Sequence, residues 1–317
     1  MIETRGLRKS FRSRQGREQR TVDAVRGVDL VVREGEIFGF LGPNGAGKTT
    51  TLRMLATLIE PDGGEATVAG ANLRTEPGEV RRRIGYVAQG GSTWDESTAR
   101  EELVLQARMY GIGKAEAQRR ATRALAAFQL TEYADRKCKT YSGGQRRRVD
   151  IALGIIHEPK VVFLDEPTTG LDPQSRAHMW DEIRRLRAEG MTIFITTHYL
   201  DEADALCDRI AIMDHGEIVA EGTPAELKRE ISGDVVLVSV DGPATAAAKV
   251  LEAEPYVNRM ETLDGGVRLY VNDGSREMPQ ILRTLDAAGI MLDSIELHRP
   301  SLDDVFLTKT GRSLRES

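Results

Sequence analysis

The chain has 317 residues, with 44 lysines and arginines against 49 aspartates and glutamates, which gives a formal net charge of −5. Because this balance provides no overall basic field, nucleic acid is not an expected partner. The two cysteines, Cys138 and Cys207, are too few for a disulfide framework and too far apart for a paired metal-ligand motif. The sequence shows no signal-peptide core and no run of 18 apolar residues, so we expect a cytoplasmic chain that reaches a membrane only through a partner.

Residues 1–231 alternate short apolar runs with longer helical patterns, which predicts an α/β domain with a largely parallel sheet. The predicted central strands are the apolar runs at 36–41, 83–88, 160–165, 191–196 and 209–213. At about 90–158 the strand pattern gives way to helical patterns, so we expect a helical subdomain inserted in the sheet domain.

Residues 232–317 follow a different order of predicted elements: strand, helix, two strands, helix and strand, with a closing helix at about 301–310. This βαββαβ order predicts a small α+β domain with a ferredoxin-like fold. A final helix of the first domain and a Ser-Gly pair at 232–233 are predicted to separate the two domains.

The run GPNGAGKTT at 42–50 lies between the strand predicted at 36–41 and a helical pattern. It matches G-x-x-x-x-G-K-[ST], in which glycines let backbone N–H groups face a phosphate at a helix N-terminus. We expect Lys48 to contact the β- and γ-phosphates and Thr49 to contact Mg²⁺. The alternative is a glycine turn that only begins an ordinary helix. The candidate nucleotide-binding residues are Gly42, Pro43, Asn44, Gly45, Ala46, Gly47, Lys48, Thr49 and Thr50.

Two carboxylates end the apolar run VVFLDEP at 161–167, and ligands of open parallel sheets bind at this end of the strands. We expect Asp165 to hold Mg²⁺, directly or through water, and Glu166 to polarise the attacking water. The alternative is an acidic turn that simply ends a buried strand. Gln89 and His198 follow two other predicted strands, and this shared position beside the phosphate loop makes both of them candidate catalytic residues.

The run YSGGQRRRVDIAL at 141–153 places a Gly-Gly turn at the start of a helical pattern. Ser142 can cap this helix, and the N–H groups of Gly143 and Gly144 can face a γ-phosphate. Because the chain already has one phosphate loop, a second phosphate site is explained if two copies face each other and each turn closes on the other's nucleotide. The alternative is an ordinary capped helix whose three arginines, at 146–148, form a solvated face.

In order and context, the phosphate loop, the YSGGQ turn, the run VVFLDEPTTGLDP, Gln89 and His198 resemble the ATP-binding-cassette ATPases over residues 1–231. The resemblance implies a homodimer that encloses two ATP molecules head to tail. It also implies that Thr49, Gln89 and Asp165 hold Mg²⁺ and that His198 senses the γ-phosphate. The further residues that it places at the nucleotides are Phe11 against adenine, Ser142, Gly143, Gly144 and Gln145 from the partner copy, and Asp172, which couples the two sites.

Three shorter stretches resemble a narrower group, the daunorubicin-resistance type of drug and antibiotic exporters: RPSLDDVFLTKTG at 299–311, TARE in the helical insert, and SGGQRRRVDIA. The resemblance implies an ATP hydrolase subunit that drives efflux of a drug-like or amphiphilic small molecule through a separate integral membrane permease. Such a subunit is cytoplasmic and peripheral on the inner face of the cell membrane. We expect the permease to contact residues around 94–103, where exposed apolar surface should mark the contact.

Two alternatives stay open: an ATPase of this family for lipid or polysaccharide export, and a soluble one that acts on ribosomes or nucleic acid. The second is disfavoured because the chain has one cassette and no long coiled-coil insertion. The predicted C-terminal domain has several possible roles, which are dimer stabilisation, control of ATP hydrolysis, ligand binding or a purely structural one.

Three further features are interpreted as structural. The run DEAD at 201–204 lies within a helical pattern, so we interpret its acidic residues as a helix start favoured by the helix dipole rather than as a helicase motif. The basic run at 8–20 is interpreted as a solvated loop. The histidines without ligand spacing, which give no metal hypothesis, are His157, His178, His215 and His298.

Overall fold

The computed structural model describes residues 1–15, 18–231, 234–263, 265–298 and 300–311. The chain divides into two compact units, a first of Met1–Thr223 and a second that begins at Pro224. The domain boundary predicted at residue 231 stays a prediction, and the helix just before it, Pro224–Ile231, belongs to the second unit. Across the described ranges, no helix combines the length and the apolar character needed to cross a membrane.

The first unit contains two sheets. Its described strands are β1 (Ile2–Gln15), β2 (Glu18–Val32), β3 (Ile37–Leu41), β4 (Gly63–Val68), β5 (Ala71–Asn72), β6 (Ile84–Val87), β7 (Val161–Asp165), β8 (Thr192–Thr197), β9 (Arg209–Asp214) and β10 (Glu217–Gly222). The larger sheet has the order β10-β9-β3-β8-β7-β6; β10 pairs antiparallel with β9 and the other neighbours run parallel. The smaller sheet is antiparallel, with the order β2-β1-β4-β5.

The central strands of the larger sheet are buried along their whole length, as in β3, β7 and β8. Continuous apolar runs are expected there, because a parallel sheet is covered on both faces. The ring of Phe194 on β8 packs against Phe38 and Phe40 of β3 and Phe163 of β7, with ring centroids 5.6 Å apart in each pair. All five strands predicted from apolar runs are confirmed.

The helices of the first unit connect these strands. They are α1 (Lys48–Leu55), α2 (Pro77–Arg83), α3 (Ala99–Met109), α4 (Lys114–Ala127), α5 (Gly143–Ile155), α6 (Pro173–Ala188) and α7 (Leu200–Leu206). Helices α3, α4 and α5 lie in the chain between β6 and β7, so the predicted helical insert is confirmed, while its bounds as a subdomain at about 90–158 stay a prediction. Both α3 and α5 begin with a capping box, in which a Ser or Thr side chain and the third helical residue bond each other's backbone N–H groups.

The hairpin of β1 and β2 occupies a segment for which the basic composition predicts a solvated loop. Phe11 pairs with Val22 and Arg12 with Thr21 across this hairpin. The loop interpretation is therefore wrong for the described residues 8–15 and 18–20, while residues 16 and 17 lie outside the described ranges. Backbone hydrogen bonds hold such a hairpin, so the sequence need not alternate apolar and polar residues.

The second unit contains one antiparallel sheet with the order β12-β13-β11-β14. Its elements are α8 (Pro224–Ile231), β11 (Asp234–Val240), α9 (Ala244–Leu251), β12 (Val257–Leu263), β13 (Gly266–Val271), α10 (Gly274–Ala287), β14 (Leu292–His298) and α11 (Leu302–Thr310). Alternate residues of β11, including Val236 and Val238, are buried in a core that also contains Leu251 and Ile281. The predicted βαββαβ order, its ferredoxin-like fold and the closing helix are confirmed.

Candidate active site

The phosphate loop connects β3 to α1 and leaves no room for larger residues at two of its glycines. A Cβ on Gly42 would lie 2.2 Å from the carbonyl oxygen of Met213, and one on Gly47 would lie 2.3 Å from that of Ala24. Gly47 also has a φ of +107°, which L side chains rarely adopt. The backbone of this loop is therefore folded tightly at the N-terminus of α1, which is the arrangement that a phosphate requires.

Lys48 is the first residue of α1, and its side chain is only 4% exposed. Its Nζ donates to the carbonyl oxygens of Gly42 and Pro43, at 2.6 and 2.9 Å, and lies 4.0 Å from Oε1 of Glu166. Burial lowers the pKa of Lys48, and the charges of Glu166 and Asp165 oppose this effect. A buried ammonium group at the loop is therefore in position to bind an anion strongly, since water screens it little.

Asp165 ends β7 at the same edge of the sheet and is almost fully buried. Its Oδ1 accepts hydrogen bonds from Oγ1 of Thr49 at 3.0 Å and from Oγ1 of Thr196 at 2.6 Å. A hydroxyl and a carboxylate in contact are hard oxygen ligands of the kind that Mg²⁺ prefers. In the part of the chain that the structure describes, no group of three or more His, Cys, Asp or Glu residues forms a metal site. This donor set fits a Mg²⁺ ion that takes most of its ligands from phosphates and water.

Glu166 follows Asp165 and is held by polar side chains from three other segments. Its Oε2 accepts hydrogen bonds from Nε2 of Gln89 at 2.9 Å and from Oγ1 of Thr169 at 3.1 Å, and Nδ1 of His198 lies 3.2 Å away. Its φ of +45° lies in the left-handed region, which is strained for a glutamate. Strain of this kind is typical of functional positions, where the surrounding structure fixes a side chain in place.

The pKa of Glu166 is set by opposing effects. Burial raises it, but the neighbouring His198 and the charge of Lys48 outweigh burial and hold the pKa of the carboxyl below its ordinary value. The group is therefore ionised near neutral pH. An ionised carboxylate beside the phosphate loop is able to accept a proton or a hydrogen bond from water.

The turn at Ser142 begins α5 and is exposed. Oγ of Ser142 accepts from the backbone N–H of Gln145 at 3.2 Å, and Oε1 of Gln145 accepts from the N–H of Ser142 at 3.0 Å. These contacts close the turn on itself. The structure brings together Lys48, Thr49, Gln89, Asp165, Glu166 and His198, whereas the capping hydrogen bonds of the Ser142 turn stay within the turn.

Two more predicted site residues lie on exposed surfaces. Phe11 is 43% exposed on β1, with Nζ of Lys9 at 5.8 Å from its ring centroid. Asp172 caps α6, because its Oδ1 accepts from the N–H of Ser175 at 2.9 Å and its Oδ2 from the hydroxyl at 2.6 Å. Stacking of Phe11 on adenine and coupling by Asp172 stay predictions.

Several polar residues that support this site are not predicted from the sequence. Thr196, bonded to Asp165, and Thr169, bonded to Glu166, belong to threonine pairs at the ends of apolar runs, which was the available signal. Glu202 lies in the first turn of α7 as predicted for the DEAD run, but it is fully buried rather than solvated. Its Oε1 accepts from Oγ1 of Thr168 at 2.7 Å and Nε1 of Trp180 at 3.1 Å, so it connects α7 to the segment after Glu166.

Comparison with known families covers both units. Residues 25–169 match the family model described as ABC transporter. Residues 222–310 match the model described as the C-terminal domain of DrrA1-3-like ATP-binding proteins.

Similar proteins match over nearly the full chain. The daunorubicin resistance ATP-binding protein DrrA2 of Streptomyces coeruleorubidus is 45% identical, with 91% of this chain and 90% of that protein covered. The linearmycin resistance ATP-binding protein LnrL of Bacillus subtilis is 37% identical, over 92% of this chain and 95% of that protein. A solved dimeric structure of a bacterial ABC transporter cassette is 28% identical with a TM-score of 0.63, over 70% of this chain and 98% of that one.

These matches agree with the geometry of the phosphate loop and of the carboxylates at the end of β7. The first unit has the fold of the solved cassettes, and the second unit has its own matching family. The chain therefore binds ATP and belongs to the ATP-binding subunits of ABC transporters, as an ABC-type ATP hydrolase with a DrrA-like C-terminal domain.

Proposed function

We propose that this chain supplies the energy for efflux of a drug-like or amphiphilic compound through a separate integral membrane permease, to which it binds at the inner face of the cell membrane. The names of relatives that match nearly the whole chain, for daunorubicin and for linearmycin resistance, support this cargo class. The match of the second unit to the DrrA-like C-terminal domain supports the same group.

The observation that carries the chemistry is the contact of Thr49 with Asp165 beside the buried Lys48. Lys48 and the amides of the phosphate loop bind the β- and γ-phosphates of ATP. Thr49, Asp165 and Gln89 hold Mg²⁺, which when bound neutralises phosphate charge and favours transfer of the γ-phosphoryl group.

Glu166 orients the attacking water and accepts hydrogen bonds from it. Its carboxylate is fixed by Gln89 and Thr169 and kept ionised by nearby positive groups. His198, 3.2 Å from Glu166, is in position to contact the γ-phosphate. A second copy completes the site. In the head-to-tail dimer that we propose, the exposed amides of each Ser142 turn contact the nucleotide bound by the partner copy and not that of their own chain. The dimeric cassette among the solved relatives supports this arrangement.

We propose that the permease contacts exposed apolar side chains of the helical subdomain. Within the range expected from the sequence, 94–103, Trp94 is 74% exposed, whereas Leu103 is fully buried. Further exposed apolar side chains follow at Leu105 and Met109, which is 75% exposed. Such side chains in one subdomain mark an interaction surface.

A Glu166→Gln variant tests the function as a whole. We expect its ATP hydrolysis to fall by at least about 100-fold, because a positioned general base contributes that much, while ATP binding is retained. The variant is tagged, expressed in its own host and extracted in mild detergent with ATP, and we expect a stoichiometric integral membrane protein to co-purify.

The matched control is Glu132→Gln, since Glu132 is exposed on the helical subdomain. Normal hydrolysis by the Glu166→Gln variant would remove Glu166 from its role. Recovery of the chain with ribosomes or nucleic acid, and without a membrane protein, would contradict the export proposal.

A further inference from the structure

The short segment that carries Gln89 is hydrogen-bonded to one helix, α5, on both sides of that residue. Gln89 itself is exposed, and its side chain reaches Glu166. The residue before it, Ala88, and the residue Ser92 after it are both bonded to side chains of α5. Helix α5 is also the helix that begins with the Ser142 turn.

On the first side, Arg147 donates to three backbone carbonyls. Nη1 bonds to Ala88 at 2.6 Å, Nε to Pro167 at 2.8 Å and Nη2 to Asp165 at 3.1 Å. The side chain is 7% exposed, so the solvated arginine face considered from the sequence is wrong at this position. One guanidinium group therefore links the segment of Gln89 to both ends of the carboxylate pair.

On the other side, Asp150 lies one turn further along α5 and is 4% exposed. Its Oδ1 accepts from the backbone N–H of Ser92 at 2.8 Å and from its hydroxyl at 3.2 Å. Gly91 has a φ of +74°, and a Cβ there would lie 2.9 Å from Oδ2 of Asp150. The turn after Gln89 is thus shaped to bring the backbone against this carboxylate.

Arg147 and Asp150 are charged residues in a buried place. Burial lowers the pKa of Arg147, while the negative charges of Asp150, Asp165 and Glu202 oppose this effect. Buried charges are costly unless they are paired and hydrogen-bonded, and a purely packing role at these positions is served as well by apolar side chains. The hydrogen bonds of Arg147 and Asp150 instead run to the segment 88–92 and to the C-terminal end of β7.

We propose that Asp150 and Arg147 are positioning residues that fix the segment 88–92 and thereby set the place of Gln89 at the metal and at Glu166. The inference rests on the proposed role of Gln89 in holding Mg²⁺. Because the same helix begins at Ser142, movement of that turn toward a partner's nucleotide also moves Gln89.

The test uses Asp150→Ala and Asp150→Asn in the full chain, alone and combined with Gln89→Ala. We expect Asp150→Ala to lower kcat and to raise the half-saturating Mg²⁺ concentration by about tenfold each, the usual effect of removing a group that orients a metal ligand. Asp150→Asn keeps an oxygen acceptor for Ser92 and should recover most of the activity. In the Gln89→Ala background, Asp150→Ala should change kcat by less than about twofold, because two residues that act through one contact are not additive.

Hydrogen–deuterium exchange gives a readout that does not depend on turnover. We expect Asp150→Ala to speed exchange in the peptide that covers residues 88–94, because the Ser92 N–H loses its acceptor. Arg120→Met is the matched control, since Arg120 is half-buried and donates to the carbonyl of Ile156 just after α5, but not to the segment 88–92. It should leave both the exchange of that peptide and the Mg²⁺ dependence unchanged.

If Asp150→Ala does not fold, Gly91→Ala takes its place, because the added methyl group collides with the same carboxylate from the loop side. The inference would be overturned if Asp150→Ala lowered kcat equally with Gln89 present and in the Gln89→Ala background, or if hydrogen–deuterium exchange at 88–94 did not change. In either case, Mg²⁺-dependent hydrolysis by the wild type would leave the proposed function standing. Absence of hydrolysis by the wild type would overturn the proposed function itself.

Discussion

The phosphate loop and the Ser142 turn are both helix N-termini proposed to face phosphate, but one chain completes only the first of them. At the loop, Lys48 is buried and lies beside Asp165 and Glu166, with threonines bonded to both carboxylates. At the turn, Ser142 is exposed and the capping bonds are internal. One site is therefore organised by folding, whereas the proposed function of the other requires a second molecule that covers it.

The physical reason lies in what each helix terminus contacts. The phosphate loop follows β3, a central strand, so the neighbouring parallel strands place carboxylates and hydroxyls beside it at the same edge of the sheet. The turn belongs to the helices inserted in the chain between β6 and β7, and the N-terminus of α5 offers free N–H groups and the positive end of the helix dipole. In the dimer that we propose, a nucleotide bound by one copy supplies the anion for the other copy's turn.

The largest expected effect comes from the buried site. Lys48→Met should lower ATP hydrolysis by at least about 100-fold, because it removes a charge that stabilises the transferring phosphoryl group in a water-poor site. The measurement is steady-state phosphate release, with a fluorescent ATP analogue titrated to follow binding.

The matched control is Lys114→Met, since Lys114 is exposed at the start of α4. If the Lys48 variant lost no more activity than this control, the description of the loop as a preorganised site would be wrong.

Substitution at the turn should instead separate dimerisation from binding. Ser142→Arg should block ATP-dependent dimerisation and lower hydrolysis at least about tenfold, because a long cation fills the space for the partner's γ-phosphate, while each monomer still binds ATP. The measurement is molar mass by light scattering in the Glu166→Gln background with and without ATP.

Ser142→Asp sharpens this test, because aspartate is a good N-cap and preserves the start of α5. Its negative charge should repel the phosphate and also prevent dimerisation. A dimer that forms with ATP in both variants would show that the turn does not act across the interface.

A smaller effect is expected at the far end of α5. His157 follows this helix; its Nε2 lies 2.8 Å from the carbonyl of Ile84, and its ring stacks on Tyr110 with centroids 3.7 Å apart. Burial lowers the pKa of His157, and the hydrogen bond to Ile84 opposes this only in part. Folding therefore favours the neutral form of the His157 imidazole.

The lowered pKa of His157 determines whether the stability of the folded chain rises or falls with pH. The unfolded state takes up the proton first as pH falls below about 6.5, so the stability contributed by neutral His157 is present above that pH and is lost as pH falls through the lower folded value. Thermal unfolding at pH 7.5 and 5.5 should show a smaller loss for His157→Gln than for the wild type. His178→Gln, on the exposed face of α6, should behave like the wild type; equal slopes for both variants would contradict the assignment.

Predictability from the sequence follows how local each feature is. The phosphate loop, the central strands, the cap at Ser142 and each element of the βαββαβ order depend on residues within one short segment, and the sequence predicts each of them correctly. The roles of Phe11, Asp172 and the Ser142 turn stay predictions, because their proposed partners are a nucleotide or a second copy.

What the sequence by itself determined is that the chain binds ATP, because the phosphate loop is one contiguous run of glycines with a lysine and a threonine. The same loop, together with paired carboxylates at strand ends, predicts where phosphate and metal bind. Only the tertiary structure decided which other polar residues serve that site. Thr196, Glu202, Arg147 and Asp150 look like ordinary polar residues in strand and helix patterns, yet they are buried and bonded to groups distant in the chain. A residue pattern encodes a helix or strand face, but the partner of a buried polar group is fixed only when the segments pack together, because only then does losing water require a specific hydrogen bond.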